Sequence, residues 1–564
     1  MIEHLTFISY IIFFLFSTIG YGLIFSNIIY KDFNSYNIGW QGIIGFFSIS
    51  LISILTSFFL AHNFFHNLTI HLIGITSFFI YYFKKKKFEE LKWLFCIVLL
   101  LWVGTYVFKN HDDFPYYHLT YSLNLSENSF IVGTGSFSHG FRTFSSLFYF
   151  HSSLYMPFIK YYLFHIGPFF ILLFFNLVIL IKLFEKFKLK KFDFIYFFSL
   201  LSFIFINIVF YRIGEHGTDR SAQILLVLIF LLFFEIYYFE KKNEAIFVKT
   251  CLLLVLVFLA SSMKTIYYLY LILIPIILIK NKFFLIFFKK KNLLLITILS
   301  SSLFLNLITF YLNTGCFLYP AEKTCLIERE WSVPKKEVKL MSTHYEWWAK
   351  AGGGPNYQHE IKKEEYVKNF VWLQNWIERH FFNKVSDTLS GIAFICLFTY
   401  SLFWCYKKQK KPPKEKIDNI SYIIIFLFLL EWFLNHPSMR YGGYILVALP
   451  IIVFTASNIS KLILNKTKAF YLSIFFIFLT FVVYNGRNIS RINKEINVYN
   501  YDLIKSPYFF VDEVISKEVA SNKNLSIYQP QKNKMCWASK TPCSYGKNIK
   551  IEKYLWMNMV YRYD

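Results

Sequence analysis

The chain has 564 residues, of which 56% are hydrophobic, 22% aromatic and only 16% charged, with a formal net charge of +25. So little polar surface excludes a soluble globule of this size. The positive charge is dispersed in short runs, which excludes the continuous basic face of a nucleic-acid binder and points instead to membrane topology and anionic lipid.

Apolar runs of the ~20 residues needed to cross a bilayer predict about fourteen transmembrane helices. They fall at 5–28, 39–60, 66–83, 91–108, 161–184, 193–211, 222–240, 246–262, 265–280, 292–312, 388–406, 419–435, 441–457 and 468–485. Lipid offers backbone groups no partners, so these runs must be helical. The expected fold is an all-α polytopic membrane protein with external loops and a small C-terminal external α/β subdomain. Its divisions are N-terminal spans in 1–108, an acidic and Gly-rich loop at 109–160, central spans in 161–312, a loop with an amphipathic helix at 313–387, C-terminal spans in 388–485, and the subdomain from 486 to 564. "KKKK" at 84–87, "KFKLKK" at 186–191, "KK" at 241–242, "KKK" at 289–291 and "KKQKKPPKEK" at 407–416 all fall on one side of this arrangement. The positive-inside rule makes that side cytoplasmic, which puts the large loops and both termini outside. "MIEHLTFISY" has no basic n-region and no small-residue cleavage site, so the first span is expected to be retained.

The fourth span ends near Phe108, and "HDDFPYYHL" follows at 111–119. Asp112 and Asp113 would emerge at the outer boundary with His111 and His118 beside them. One reading is a solvated helix stop. The other is a binding loop, because "VGTGSFSHGFRTFSS" continues it and Gly133, Gly135 and Gly140 permit unusual backbone angles around His139 and Arg142. A second short loop, "RIGEHGTDRS" at 212–221, holds Arg212, Glu215, His216, Asp219 and Arg220 close to the membrane surface, where charges must be paired or used. Arg212 and Arg220 either clamp a phosphate or diphosphate, with Lys264 and Arg440 as further candidates, or neutralise Glu215 and Asp219.

In 313–387, "STHYEWWAKAGGGPNYQH" sets a glycine run beside Trp347 and Trp348. In "EEYVKNFVWLQNWIERHFF", the residues Tyr366, Phe370, Leu373, Trp376 and Ile377 recur at helical spacing, which predicts one amphipathic helix lying flat at the interface. Cys96, Cys251, Cys396 and Cys405 lie in or beside spans and suit burial, whereas Cys316 with Cys325 and Cys536 with Cys543 form local pairs in external segments. An oxidising compartment would close both as disulfides, and a zinc site is the weaker reading without C-x-x-C spacing or a histidine pair. In the tail, "YFFVDEVISKEVAS" suits a helix, while "NLSIYQP" and "NIKIEKYL" suit strands.

A long multispan chain whose early external loop opens on paired acidic residues resembles the GT-C class of membrane glycosyltransferases. The strings "HDDFPYYHL" and "GTGSFSHGFRTFSS", with "TGCFLYP", "NFVWLQNWIERHF" and the terminal "CW…PC", are more closely similar to a group of uncharacterised bacterial multispan envelope proteins of GT-C-like architecture. Four spans precede the acidic loop here where typical GT-C enzymes have one, and "WWDYG" is absent. The resemblance implies sugar transfer from a polyprenyl-phosphate donor to a glycan or lipid acceptor, at a bacterial inner membrane with the site facing the periplasm or exterior. It assigns Asp112 or Asp113 as the base that deprotonates the acceptor and the other as an orienting or metal-binding group, with His118 tuning the pair and Arg or Lys receiving the phosphate. A divalent ion, Mg or Mn, is conditional because no full ligand set is visible. No nucleotide cofactor is expected, since neither "GxxxxGK" nor "GxGxxG" occurs.

Two alternatives remain at this stage. An O-antigen polymerase or ligase would shift the key residues to 313–387 and Arg212. A lipid-linked-glycan transporter or flippase would need charged residues mid-span, whereas Glu235 and Glu431 lie near span ends. The charge pattern yields a direct expectation: reporter fusions after Asn313 and after Asn500 should both read as external, and a cytoplasmic signal from either would break the topology.

Overall fold

The computed structural model describes residues 2–85, 88–215, 217–282, 287, 289–351, 359–409, 419–531, 534–546 and 548–563. Lys86, Lys87, His216, the glycine run at 352–354 and the lysines of 410–416 lie outside the described residues.

Among these residues ten helices are long and apolar enough to cross a membrane. They are α1 (Ile2–Ile29), α2 (Ile38–Ser57), α3 (Phe64–Lys85), α4 (Ile166–Lys188), α5 (Thr218–Phe239), α6 (Asn243–Met263), α7 (Lys290–Thr314), α8 (Leu373–Cys405), α9 (Met439–Ser460) and α10 (Lys466–Tyr499). The expected fourteen are not reached, because four segments form shorter helices: Phe88–Leu101, Phe194–Val209, Thr265–Asn281 and Asn419–Asn435. At ~1.5 Å per residue a helix of that length falls short of a ~30 Å hydrocarbon core. α4, α5 and α6 are apolar on every side because they are buried on every side, whereas α7, α8 and α10 leave most of their surface outward for lipid.

The helix ends gather at two poles. At one, Lys182 and Lys249 flank Glu235, and Lys291 pairs Glu244 at 2.9 Å. At the other, the segment from 109 to 160 meets the tail, and Tyr508 donates its hydroxyl to the Glu3 carbonyl at 3.4 Å.

The acidic segment departs from the loop expected of it. Residues 118–126 are buried, helices Leu119–Glu127 and Ser146–Ser153 pack on each other, and Ser146–Ser153 also packs on α2. Asn67 donates to the carbonyls of Ser152 and Tyr155, each at 2.9 Å, tying the segment to α3. Its aromatic density, with Phe137, Phe141, Phe144 and Phe148 all buried, explains why it folds inward. Of the three glycines expected to relax the backbone, only Gly133 is left-handed, at φ 81°. Gly135 and Gly140 instead permit close packing against the Asn313 carbonyl and the Tyr117 ring.

The tail carries β2 (Ser516–Asn522), β3 (Leu525–Pro530), β4 (Ile549–Tyr554) and β5 (Met557–Arg562), and the acidic segment supplies β1 (Ile131–Val132). β2 and β3 form an antiparallel hairpin, β4 pairs antiparallel with β5, and β1 joins β5 in parallel with Ile131 opposite Asn558. The helix expected within 508–521 is not formed: 508–515 is irregular and β2 follows, since pairing with β3 satisfies its backbone. α10 runs on to Tyr499 and ends where Asn500 turns left-handed at φ 51°, so the C-terminal subdomain is β rather than α/β.

The amphipathic helix is likewise interrupted. Asn369 and Phe370 take φ of 48° and 61°, separating Lys363–Tyr366 from the helix that begins at Leu373 and becomes α8. Tyr366 and Trp376 face the protein, with Trp376 Nε1 donating to the Pro437 carbonyl at 2.7 Å. Phe370 is exposed. The piece braces the turn before α9 through Trp376. Cys316 is bonded to Cys325 and Cys536 to Cys543, while Cys251 and Cys396 are buried and Cys96 and Cys405 exposed.

A Cβ on Gly133 would lie 2.1 Å from the Val560 carbonyl oxygen. Gly133→Ala should therefore cost more than the ~1–2 kcal/mol of a left-handed residue and loosen β5. Limited proteolysis should cut the tail of the variant faster than that of the wild type, and equal rates would disprove the contact.

Candidate functional site

Four charged side chains from four separate segments meet at the pole that holds the acidic segment. Arg440 donates from Nε to Asp219 Oδ2 at 2.7 Å and from Nη2 to Asp113 Oδ2 at 3.2 Å. Lys264 donates to the other oxygen of Asp219. Local structure explains each position. Asp219 stands in the first turn of α5, where the helix dipole favours an anion. Lys264 is the residue that caps α6. Arg440 lies in the kinked first turn of α9, made possible by Gly442 at φ 90° and held by Gln223, whose amide donates to the carbonyls of Met439 and Arg440 at 3.2 and 3.3 Å.

Aromatic rings cover the cations. Arg440 lies over the Trp348 ring at 5.0 Å and Lys264 over the Tyr441 ring at 4.3 Å. The Asp113 side chain remains 31% exposed and that of Asp219 only 11%, so a ligand would reach Asp113 first. Asp113 Oδ2 is taken by Arg440 and lies 3.5 Å from His111 Nδ1, while Oδ1 has no partner among the described residues. Burial would raise the pKa of Asp113, but Arg440, His118 and His111 outweigh it and hold the carboxyl below its usual range. Burial lowers the pKa of His111 despite the nearby aspartates. Burial also lowers that of Lys264, against the pull of Asp219.

The segments 109–160 and 212–221 therefore converge, and the His111 amide donates to the Glu215 carbonyl at 3.1 Å as a second tie. Other expected site residues stand elsewhere. Asp112 is exposed and makes no hydrogen bond or ion pair among the described residues. Arg212 and Arg220 both pair Glu215, and Arg220 also donates to the Arg212 carbonyl. Arg142 is buried, donating to the Gly135 carbonyl at 2.9 Å and to Glu337 at 2.8 Å, which locks the Gly-rich stretch in place. His139 meets the Tyr116 hydroxyl at 3.2 Å, and burial with nearby Arg142 lowers its pKa. His118 is buried and stacks parallel to His111 at 6.1 Å.

The conditional divalent ion has no ready place. Among the described residues no three His, Cys, Asp or Glu side chains converge to hold one, and Asp113 and Asp219 are bridged by a guanidinium instead. Trp348, Tyr441 and Gln223 were not singled out by spacing for this site. "RYGGY" at 440–444 was the available signal, since a glycine pair after a boundary arginine marks a shaped turn.

These features define a polytopic membrane protein with a charged, aromatic-covered site at one pole. The chain belongs to the family described as a domain of unknown function, DUF8201, which matches residues 4–447. That stretch contains Asp113, Asp219, Lys264 and Arg440 and stops short of the tail strands β2–β5. No curated protein and no solved structure matches the chain.

Asp219→Ala would leave Arg440 and Lys264 without their shared partner, and breaking a buried pair in this way costs roughly 3–5 kcal/mol. Its thermal midpoint in detergent should drop clearly, while exposed Asp112→Ala should shift stability by less than about 0.5 kcal/mol. Equal midpoints for the two variants would show that the network bears no load.

Proposed function

We propose that the protein is an integral membrane glycosyltransferase that moves a sugar from a polyprenyl-phosphate carrier to a cell-envelope glycan or lipid acceptor. The observation that supports this is the meeting of Asp113, Asp219, Lys264 and Arg440 beneath Trp348 and Tyr441 at a membrane pole. A carrier-borne sugar brings a phosphate anion, a sugar ring and a lipid tail to one place. The cluster offers cations, aromatic faces and a bilayer in that arrangement.

In this reading Asp113 Oδ1 takes the proton of the acceptor hydroxyl while that oxygen bonds to the anomeric carbon. The bond from this carbon to the phosphate oxygen breaks, and its electron pair leaves with the phosphate toward Arg440 and Lys264. Arg440 Nη1 has no partner among the described residues and is the donor left for that phosphate. Asp219 holds both cations in register. Asp113 takes the base role because it sits in the network, whereas Asp112 stands outside it. A polymerase or ligase working on the same carrier draws on one further observation, that Trp348 comes from the 313–387 segment. It would differ in building or attaching a polymer instead of adding one sugar.

Asp113→Asn keeps the shape and loses the proton acceptor, so transfer should fall by ~10²-fold or more at unchanged abundance. The measurement is the surface glycan, or its accumulating lipid-linked precursor, in cells carrying the variant. A profile like that of the wild type, where deletion of the protein alters it, would remove Asp113 as the base. The pH profile gives a second check. A depressed carboxylate stays ionised until pH falls through its lowered pKa, so the acid limb of kcat/KM should lie below the ordinary aspartate range. Arg440→Gln should move that limb upward as well as weakening donor binding.

A further inference from the structure

A second concentration of charge lies beside the candidate site without belonging to it. Beyond Lys466 and Lys468 in its first turn, α10 is apolar up to Tyr484, and Asn485 donates to the Leu100 carbonyl at 2.9 Å. Beyond that level the helix turns basic and forms one wall of a cleft of about 460 Å³ lined by Lys109, Arg212, Arg487, Arg491, Lys494 and Glu495. That volume lies in the ~300–1,000 Å³ range of small-ligand sites. Five cations thus face a single carboxylate.

The carboxylate is already committed. Glu495 takes both contacts from Arg491 Nη1 at 3.1 Å and accepts from the amides of Phe108 and Lys109 at 3.0 and 3.4 Å. Arg491 is itself more than nine-tenths buried, and its other nitrogen donates to the Tyr106 carbonyl at 2.5 Å. Arg487 is held by the Ile208 carbonyl and lies 3.9 Å over the Tyr211 ring. Arg212 pairs Glu215, yet its Nε is buried without a hydrogen-bond partner. Lys109 and Lys494 have no ion pair among the described residues. The guanidinium groups are therefore fixed in place, a buried donor is unused, and two ammonium groups are unneutralised at the level where a helix leaves the bilayer. Fixed arginines with mobile lysines suit a tetrahedral oxyanion.

We infer that this cleft is a separate binding site for a phosphate group, carried either by an anionic phospholipid headgroup or by a dissolved phosphate. It shares no side chain with the Asp113 network, although the backbone of 109–111 and the stretch from Arg212 to Asp219 both run between the two.

The test uses the full-length protein in nanodiscs of phosphatidylcholine alone, of equal parts phosphatidylcholine and phosphatidylglycerol, and of phosphatidylcholine with inorganic phosphate added, reading the thermal midpoint. Stabilisation by phosphatidylglycerol alone assigns the lipid headgroup, and stabilisation by inorganic phosphate assigns the dissolved anion. Lys109→Gln with Lys494→Gln removes the two exposed, unpaired charges and should raise the amount needed for half-maximal stabilisation by about tenfold or more, given ~1 kcal/mol per lysine near a charged surface. Lys517→Gln with Lys523→Gln, an equal charge change on the β2–β3 hairpin, should leave it unchanged. Asp113→Asn should respond as the wild type does. The inference fails if neither addition stabilises the wild type, if the two double variants respond alike, or if Asp113→Asn abolishes the response.

Discussion

One guanidinium sets the geometry on which the polar pole depends. Arg440 reaches Asp219 at the start of α5 and Asp113 in the acidic segment, two groups far apart in the chain. Its planar fork can hold two carboxylates in one geometry, which a lysine in the same place could not. Charge balance follows, because two anions and two cations share a region where water is scarce. Removing one member would strand the others. The surrounding structure serves that balance: Gly442 shapes the turn, Gln223 pins its carbonyls, and Trp376 closes on Pro437 just before it. Rigidity of this kind is what a charged site needs if it is to act on a ligand and not merely neutralise itself.

The helical membrane architecture was legible because its cause is compositional. An apolar run in lipid has one backbone solution, so a sequence such as "LLLVLVFLASS" at 252–262 states its own fold. Span length was less legible. Phe194–Val209 begins where the Asp193 side chain accepts from the Tyr196 amide, a local cap that apolar periodicity does not report. The tail misled for another reason. "DEVISKEVAS" has helix-compatible residues, but its partner strand at 525–530 decides the outcome, and β pairing is a property of two segments at once.

At the site, residue type was informative and grouping was not. Asp113, Asp219, Lys264 and Arg440 stood out as charges at span ends, where lipid makes an idle charge expensive. Which of them belonged together depended on helix packing, so Arg212 and Arg220 looked equivalent to Arg440 although they pair with Glu215. Adjacent Asp112 and Asp113 looked like a pair, yet one is exposed and the other bridged by Arg440. The bridging partner that distinguishes them lies in a turn far along the chain. In the sequence Trp348 stands only beside a glycine run, and its place over Arg440 emerges from the tertiary fold alone.

The parallel pairing of β1 with β5 bears on the order in which the molecule is made. β1 leaves the ribosome long before β5, because the two strands lie far apart in the chain. Until then Gly133 lacks the neighbour at Val560 that its conformation accommodates, and Ser136 lacks the Arg562 side chain that donates to its carbonyl at 2.9 Å. The spans can insert as they emerge, but the segment carrying Asp113 reaches its final packing only after β5 has been made. Such a long-range closure is slow to form and ties the packing of the charged pole to the synthesis of the tail strands.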